Sequence, residues 1–237
     1  MRWLLGLCFL ASPAAAVTCK DVQHLGASYT ICDVGVDEDL QLFLGDDDGN
    51  VLGSFRAVEN YRGVSLSFAM NAGMYHDDRS PVGHYVEDFV PQRSVMTREG
   101  PGNFGLLPNG VFCSGETFQV FETLKFLEQT PLCADATQSG PMLVIDGELH
   151  PRFIPDGTSK FIRNGVGTPT DGQRAYFAIS NEPVNFHDFA TLFRDHIGVP
   201  NALYFDGKVS RLHAPQLNRS DFGWQLGPII GVVDADQ

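Results

Sequence analysis

The stretch Asn201-Ala-Leu-Tyr-Phe-Asp-Gly-Lys-Val-Ser-Arg211 sets the terms for the rest of the chain. Ala202 to Phe205 is an unbroken apolar run with the length of a buried strand. Asp206-Gly207 is a sharp turn signal, and Val209 restarts the apolar pattern. A carboxylate at a strand end is held by a rigid element and can face a cleft. Turn chemistry alone also accounts for Asp-Gly, so a plain hairpin is the competing reading.

Immediately upstream, Phe186 to Ile197 reads as a helix. Asn185 is its N-cap and Asp188 falls in the first turn, where the dipole favours a negative charge. Phe186, Phe189, Ala190, Phe193 and Ile197 form one apolar stripe, and Gly198 and Pro200 end the segment. Most of the remaining pattern is strand and turn. Val17 to Val34 reads as a hairpin. Leu40 to Leu44 and Val51 to Phe55 read as a second one, joined by the acidic tip Gly45 to Asn50. That tip lacks the alternating carboxylates and closing Glu of a calcium loop, so it reads as a solvated turn.

Ser65 to Met70 is a strand running into Asn71-Ala-Gly-Met-Tyr75. Leu107 to Phe112 reads as strand, turn, strand, and Phe118 to Leu127 fits either a strand or a short helix. Met142 to Ile145 leads into the turn Asp146-Gly147. Arg163 stands beside a flexible, glycine-rich loop, Asn164 to Gly167. Ala175 to Ile179 and Ile229 to Val233 complete the strands. No linker and no fixed-period repeat divides the chain. Residues 17–237 therefore read as a single α+β domain with a mixed, mostly antiparallel sheet core and few helices.

The 237 residues are 43% apolar and 11% aromatic, enough to bury a core. A formal charge of −13 argues against a nucleic-acid groove or binding to an anionic membrane surface. Residues 1–16 have the layout of a signal peptide. Arg2 is followed by the apolar Trp3 to Leu10, too short to span a bilayer, and then by Ala14-Ala15-Ala16. The expected product is a periplasmic or secreted protein without a membrane anchor. Export leaves Cys19, Cys32, Cys113 and Cys133 in an oxidising compartment. Cys19 and Cys32 flank the first hairpin, so the expected disulfides are Cys19–Cys32 and, by default, Cys113–Cys133. With no C-x-x-C pair, zinc is a poor reading.

Five strand ends carry polar or glycine-bearing turns: Asn71-Ala-Gly73, Asn109-Gly110, Ser139-Gly140-Pro141, Arg163-Asn-Gly165 and Asp206-Gly207-Lys-Val-Ser210. Backbone N–H groups from such turns, with one Arg, make a cradle for an oxyanion or phosphate. Ordinary turns have the same composition, and periodicity does not show whether these five share one end of the sheet.

The ordered set Asn71-Ala-Gly-Met-Tyr, Gln138-Ser-Gly-Pro-Met-Leu-Val-Ile-Asp-Gly, Arg163-Asn-Gly-Val-Gly, the helix before Gly198, and Ala202-Leu-Tyr-Phe-Asp-Gly-Lys-Val-Ser resembles the phosphodiester glycosidase family, and its small exported bacterial branch most closely. The resemblance spans about Leu40 to Arg211. It implies hydrolysis of a sugar–O–phosphate bond, with Asp206, Arg163, Asn71 and Ser139 as catalytic residues. Gly73, Asn109, Gly140, Ser180, Gly207 and Ser210 are then substrate-binding. Two positions depart from the family pattern: Ala72 replaces a glycine, and Lys208 replaces the second glycine after the Asp.

In that chemistry a carboxylate meets positive charge at the anomeric carbon, and an Arg meets the leaving phosphate. His76, Asp77 and Asp78 are candidates for proton transfer, and the Asp-rich loops permit a divalent cation. No cofactor is otherwise implied, and the expected partner is a carbohydrate or sugar phosphate. A non-catalytic protein that binds glycans or assists exopolysaccharide assembly is the alternative function.

Overall fold

The computed structural model describes residues 17–234; the expected signal peptide lies outside the described residues. In chain order the strands and helices begin with β1 Thr18–His24, β2 Ala27–Gly35, β3 Asp39–Phe43, α1 Phe55–Arg62, β4 Leu66–Asn71, β5 Tyr85–Glu87 and β6 Val90–Arg93. Then follow β7 Gly110–Ser114, β8 Gln119–Glu122, α2 Thr123–Gln129, β9 Asp135–Ser139, β10 Met142–Ile145 and β11 Glu148–Leu149. The last group is β12 Asn164–Thr168, β13 Arg174–Ser180, α3 Phe186–Thr191, β14 Asn201–Asp206, β15 Leu212–Ala214, β16 Arg219–Ser220 and β17 Ile229–Val233.

The strands form three sheets, ordered β1-β2-β13-β12-β14-β10-β11, β16-β15-β4-β17-β3 and β6-β5-β9-β7-β8. Neighbouring strands are antiparallel throughout the described residues. The architecture is mostly β with few helices, as an α+β reading requires.

β14 has no polar face because both of its faces are covered. Leu203 and Phe205 enter a central core that also holds Phe68, Phe112 and Phe177. Ala202 and Tyr204 point the other way, against Phe189 and Phe193 of the helical segment. A strand buried on both sides reads as a continuous apolar run, which is what the sequence shows. Phe177 joins the three sheets: its ring lies 4.9 Å from Phe68, 5.7 Å from Phe112 and 6.5 Å from Phe205. The helical segment is capped as expected, with Asn185 Oδ1 accepting from Asp188 N at 2.8 Å. Its second half, Leu192–Ile197, is a π-helix ended by Gly198 at φ 81°.

Both expected disulfides are present, with Cys19 and Cys32 directly opposed across β1 and β2. Other expectations are corrected. Val51 to Phe55 is not the return strand of a hairpin. Val51 makes one bridge to Gly45, and Phe55 starts α1, which Ser54 caps and Gly63 ends at φ 66°. β3 pairs with β17 instead. Asn109-Gly110 is not a turn between two strands, since β7 begins at Gly110. Phe118 to Leu127 is a strand followed by a helix.

Asn164 to Gly167 is not a flexible loop but part of β12. Its glycines are there for close packing, because a side chain at Gly167 would run into Val199 and Phe193. Nor does Asp206-Gly207 close a hairpin. The chain leaves the seven-stranded sheet at Asp206 and enters a second sheet at Leu212 of β15.

Candidate active site

Asn164, the first residue of β12, lies opposite Asp206 in the β12–β14 pairing and is fully buried. A buried carboxamide must find partners for both its ends. Asn164 Nδ2 donates to the main-chain oxygen of Asn71 at 2.8 Å. Its Oδ1 accepts from Asp206 N at 3.1 Å. Ser210 Oγ lies within bonding distance of Asp206 O, Ile162 O and Asn164 Oδ1, at 2.9, 3.0 and 3.2 Å, with one proton for three acceptors. Asn71 Oδ1 accepts from Arg211 N at 2.8 Å. The third sheet joins through Ser139, whose hydroxyl donates to Phe205 O at 2.8 Å and accepts from Met74 N at 3.3 Å. Asn71, Ser139 and Asp206 come from three different sheets and meet at one place.

Asp206 itself is half-buried. Its Oδ1 accepts from Gly207 N at 2.6 Å and Lys208 N at 2.9 Å, which folds the turn. Its Oδ2 takes no hydrogen bond from the described residues. Gly207 must be glycine because a Cβ there would collide with the Tyr204 hydroxyl. Tyr75 stands near by with its hydroxyl buried and unpartnered among the described residues. Burial first, and the Asp206 carboxylate second, hold the Tyr75 phenol above its ordinary pKa.

Beside this cluster an open cleft of about 700 Å³ is lined by Ser180, Gly207, Ser210 and, from outside the expected set, Lys160, Lys208, Arg211 and Arg219. The lining thus brings four cations together with one carboxylate, Asp221, in a chain whose formal charge is −13. Burial pulls the Arg211 guanidinium below its usual pKa, with Tyr75 and Asp221 opposing that shift. These cations were invisible to motif reading, since they are scattered between residues 160 and 219. Only Lys208 and Arg211 gave a signal, both within the Asp206 stretch.

The other expected residues stand behind the cleft or away from it. Arg163 does not face solvent: it is fully buried and its guanidinium is used inside the protein. Nε donates to Val184 O at 2.9 Å, Nη1 to the Tyr204 hydroxyl at 3.2 Å and Nη2 to Ser159 O at 2.9 Å. The guanidinium also stacks 3.6 Å from the centre of the Phe186 ring. Arg163 directly precedes β12, and its side chain turns inward between the Phe186 ring and the main chain at Ser159 and Val184.

Ser180 accepts from Arg163 N. Gly73 N donates to Thr137 Oγ1, and Gly73 is too close to Gln138 for a side chain. Asn109 is buried and bonded to Phe104 and Thr123, with Gly140 packed on its side chain. His76, Asp77 and Asp78 lie in an exposed turn closed by Ser80 and do not line the cleft. Among the described residues no three His, Cys, Asp or Glu side chains gather as metal ligands.

Comparison with known proteins decides the family. The phosphodiester glycosidase family model matches residues 65–233, which include every strand that builds the cluster. The chain belongs to the phosphodiester glycosidase family. A relative in Escherichia coli K12, the uncharacterized protein YigE, is 32% identical over 178 residues. That match covers 73% of this chain and 66% of YigE, just under two thirds of its length.

The fold is also that of the zebrafish N-acetylglucosamine-1-phosphodiester alpha-N-acetylglucosaminidase catalytic domain, solved auto-inhibited by its pro-peptide. The TM-score is 0.63 at 12% identity, covering 94% of this chain and 85% of the zebrafish one.

Proposed function

We propose that this phosphodiester glycosidase is an exported hydrolase, periplasmic or secreted, that cleaves a sugar–phosphate bond in a surface glycan or phosphoglycan. The observation that carries the reading is Asp206. It has one oxygen locked in the turn and the other uncommitted, and it directly precedes the lining of a cationic cleft. Breaking the bond between anomeric carbon and oxygen leaves positive charge on the sugar, which Asp206 stabilises or traps covalently. Water then completes the reaction, giving free sugar and a phosphomonoester.

The leaving phosphate gains charge that Arg211, Lys208 and Lys160 can meet. Asn71, Ser139, Arg163 and Asn164 act as positioning residues behind the carboxylate. Ser180, Gly207 and Ser210 line the place where substrate would sit. The paired cysteines and the pattern of residues 1–16 support export.

The test is free-sugar release from simple sugar phosphodiesters and nucleotide sugars, comparing the wild-type chain with Asp206→Asn, with and without chelator. Release that is lost in the variant supports the reading, and the chelator arm decides whether a divalent cation takes part. Stoichiometric binding without turnover would favour a glycan-binding protein, the reading to which Lys208 in the cleft lends weight.

A further inference from the structure

The turn between β5 and β6 breaks a local rule. Glu87 pairs with Val90, so Asp88 and Phe89 form the turn alone, at φ 48° and 62°. That geometry suits Asn-Gly, and a bulky aromatic residue in it is strained. Strain of this kind gathers at sites that hold a ligand. Here it keeps the Phe89 ring in the open, 56% exposed, beside Val90 at 59%.

Phe89 lines a cleft of about 630 Å³, together with Cys113, Phe121, Pro131 and Leu132. Leu132 is 83% exposed. Large apolar side chains left uncovered together mark an interaction surface. The charge beside them has one dominant sign. Glu116 lines the same cleft, and Ala134 belongs both to it and to a second cleft of about 280 Å³.

That second cleft sets Asp39, Glu87, Asp88 and Asp135 against a single cation, Arg62. Asp135 is only 6% exposed. Its Oδ1 accepts from Leu42 N and Asp88 N, each at 3.3 Å, and its Oδ2 takes no hydrogen bond from the described residues. A buried carboxylate with a spare oxygen is completed by a cationic donor. Neither cleft shares a lining residue with the one beside Asp206.

We infer that this face docks a segment of another polypeptide, one that carries a large apolar side chain with Lys or Arg beside it. The apolar side chain enters the cleft between Phe89 and Leu132. An ammonium or guanidinium group from the same segment reaches Asp135 in the second cleft. Charge complementarity selects this occupant over a second copy of the chain, since a two-fold dimer would bring these carboxylates together.

Panning a random-peptide phage library on the full chain supplies the probe. The enriched peptides should carry a large apolar residue flanked by Lys or Arg, and a synthetic copy of one is then titrated by calorimetry. Leu132→Ser and Asp135→Asn should each weaken its binding about tenfold, the scale of one buried apolar side chain or one charged hydrogen bond. Added salt should weaken it as well. Phe89→Asn should lose affinity while raising Tm, because asparagine accepts the left-handed turn that strains phenylalanine. A variant that binds less and melts higher has not lost its fold.

No enrichment, enriched peptides without basic residues, or a titration unmoved by these substitutions overturns the inference. So does a dimer in sedimentation equilibrium that Leu132→Ser dissociates, which would assign the face to a second copy.

Discussion

Asn164 donates its carboxamide to the main-chain oxygen of Asn71 at 2.8 Å, and in doing so stitches the seven-stranded sheet to a neighbouring sheet. The same side chain accepts from Asp206 N, so the orientation of the carboxylate depends on a contact made 93 residues away in sequence. Asn164→Ala leaves Asn71 O and Asp206 N unpaired in a closed interior. We expect a loss of about 1–3 kcal/mol in stability together with a fall in turnover. Denaturant titration and sugar release measured on the same preparation check both.

Asp206→Asn separates chemistry from folding. An asparagine keeps the Oδ1 acceptor that Gly207 N and Lys208 N require, so the turn survives. Turnover should vanish while stability falls by no more than about 1 kcal/mol, the scale of replacing a charged acceptor by a neutral one. A large drop in Tm with activity retained would return Asp206 to the role of a turn residue.

The two buried arginines should fail in different ways. Arg163→Met strands Val184 O, Ser159 O and the Tyr204 hydroxyl behind the site, and should cost on the order of 2–4 kcal/mol of stability. Arg211→Met removes a cation from the cleft, so its main loss should be in kcat/KM for phosphodiesters. Thermal melts beside steady-state kinetics distinguish them. Equal kinetic losses at equal stability would put Arg163 in the cleft chemistry after all.

Asp135 supplies a pH prediction. Burial pushes its carboxyl up to about 6, against the opposing N–H groups of Leu42 and Asp88. The folded chain therefore holds this proton more tightly than the unfolded one, in which the carboxyl titrates near 3.8. This contribution to stability is complete below about pH 4 and is lost as pH rises toward about 6. Asp135→Asn keeps an oxygen acceptor and removes the charge. It should be the more stable form at neutral pH, by on the order of 1–3 kcal/mol, with the difference gone in acid. Unfolding midpoints across that range measure it.

What the sequence disclosed was local. Cys19 and Cys32 flank a turn close to them in sequence, so a hairpin aligned them, and the stripe from Phe186 to Ile197 needs only its own periodicity. The apolar run before Asp206 showed a strand buried on both faces. Helix α1 was misread because Val51, Leu52 and Phe55 suggest a strand; Ser54 and Gly63, which cap it, were the overlooked signal. Gly165 and Gly167 suggested flexibility because their real cause, Leu203, Phe193 and Val199 pressed against them, is remote in sequence. Arg163 was misplaced for the same reason. The cleft cations come from three segments: Lys160 ahead of β12, Lys208 and Arg211 in the connection from β14 to β15, and Arg219 in β16, which pairs with β15.

That crossover has a consequence for assembly. The chain passes Asp206 on its way from one sheet to another; Gly207 and Lys208 fold its carboxylate into the turn, while Asn164 and Asn71 arrive from elsewhere in the molecule. The seven-stranded sheet alone holds Asp206 at the end of β14 opposite Asn164, without Asn71 or Ser139 around it. On the proposed function, the catalytic centre is complete only when all three sheets have docked.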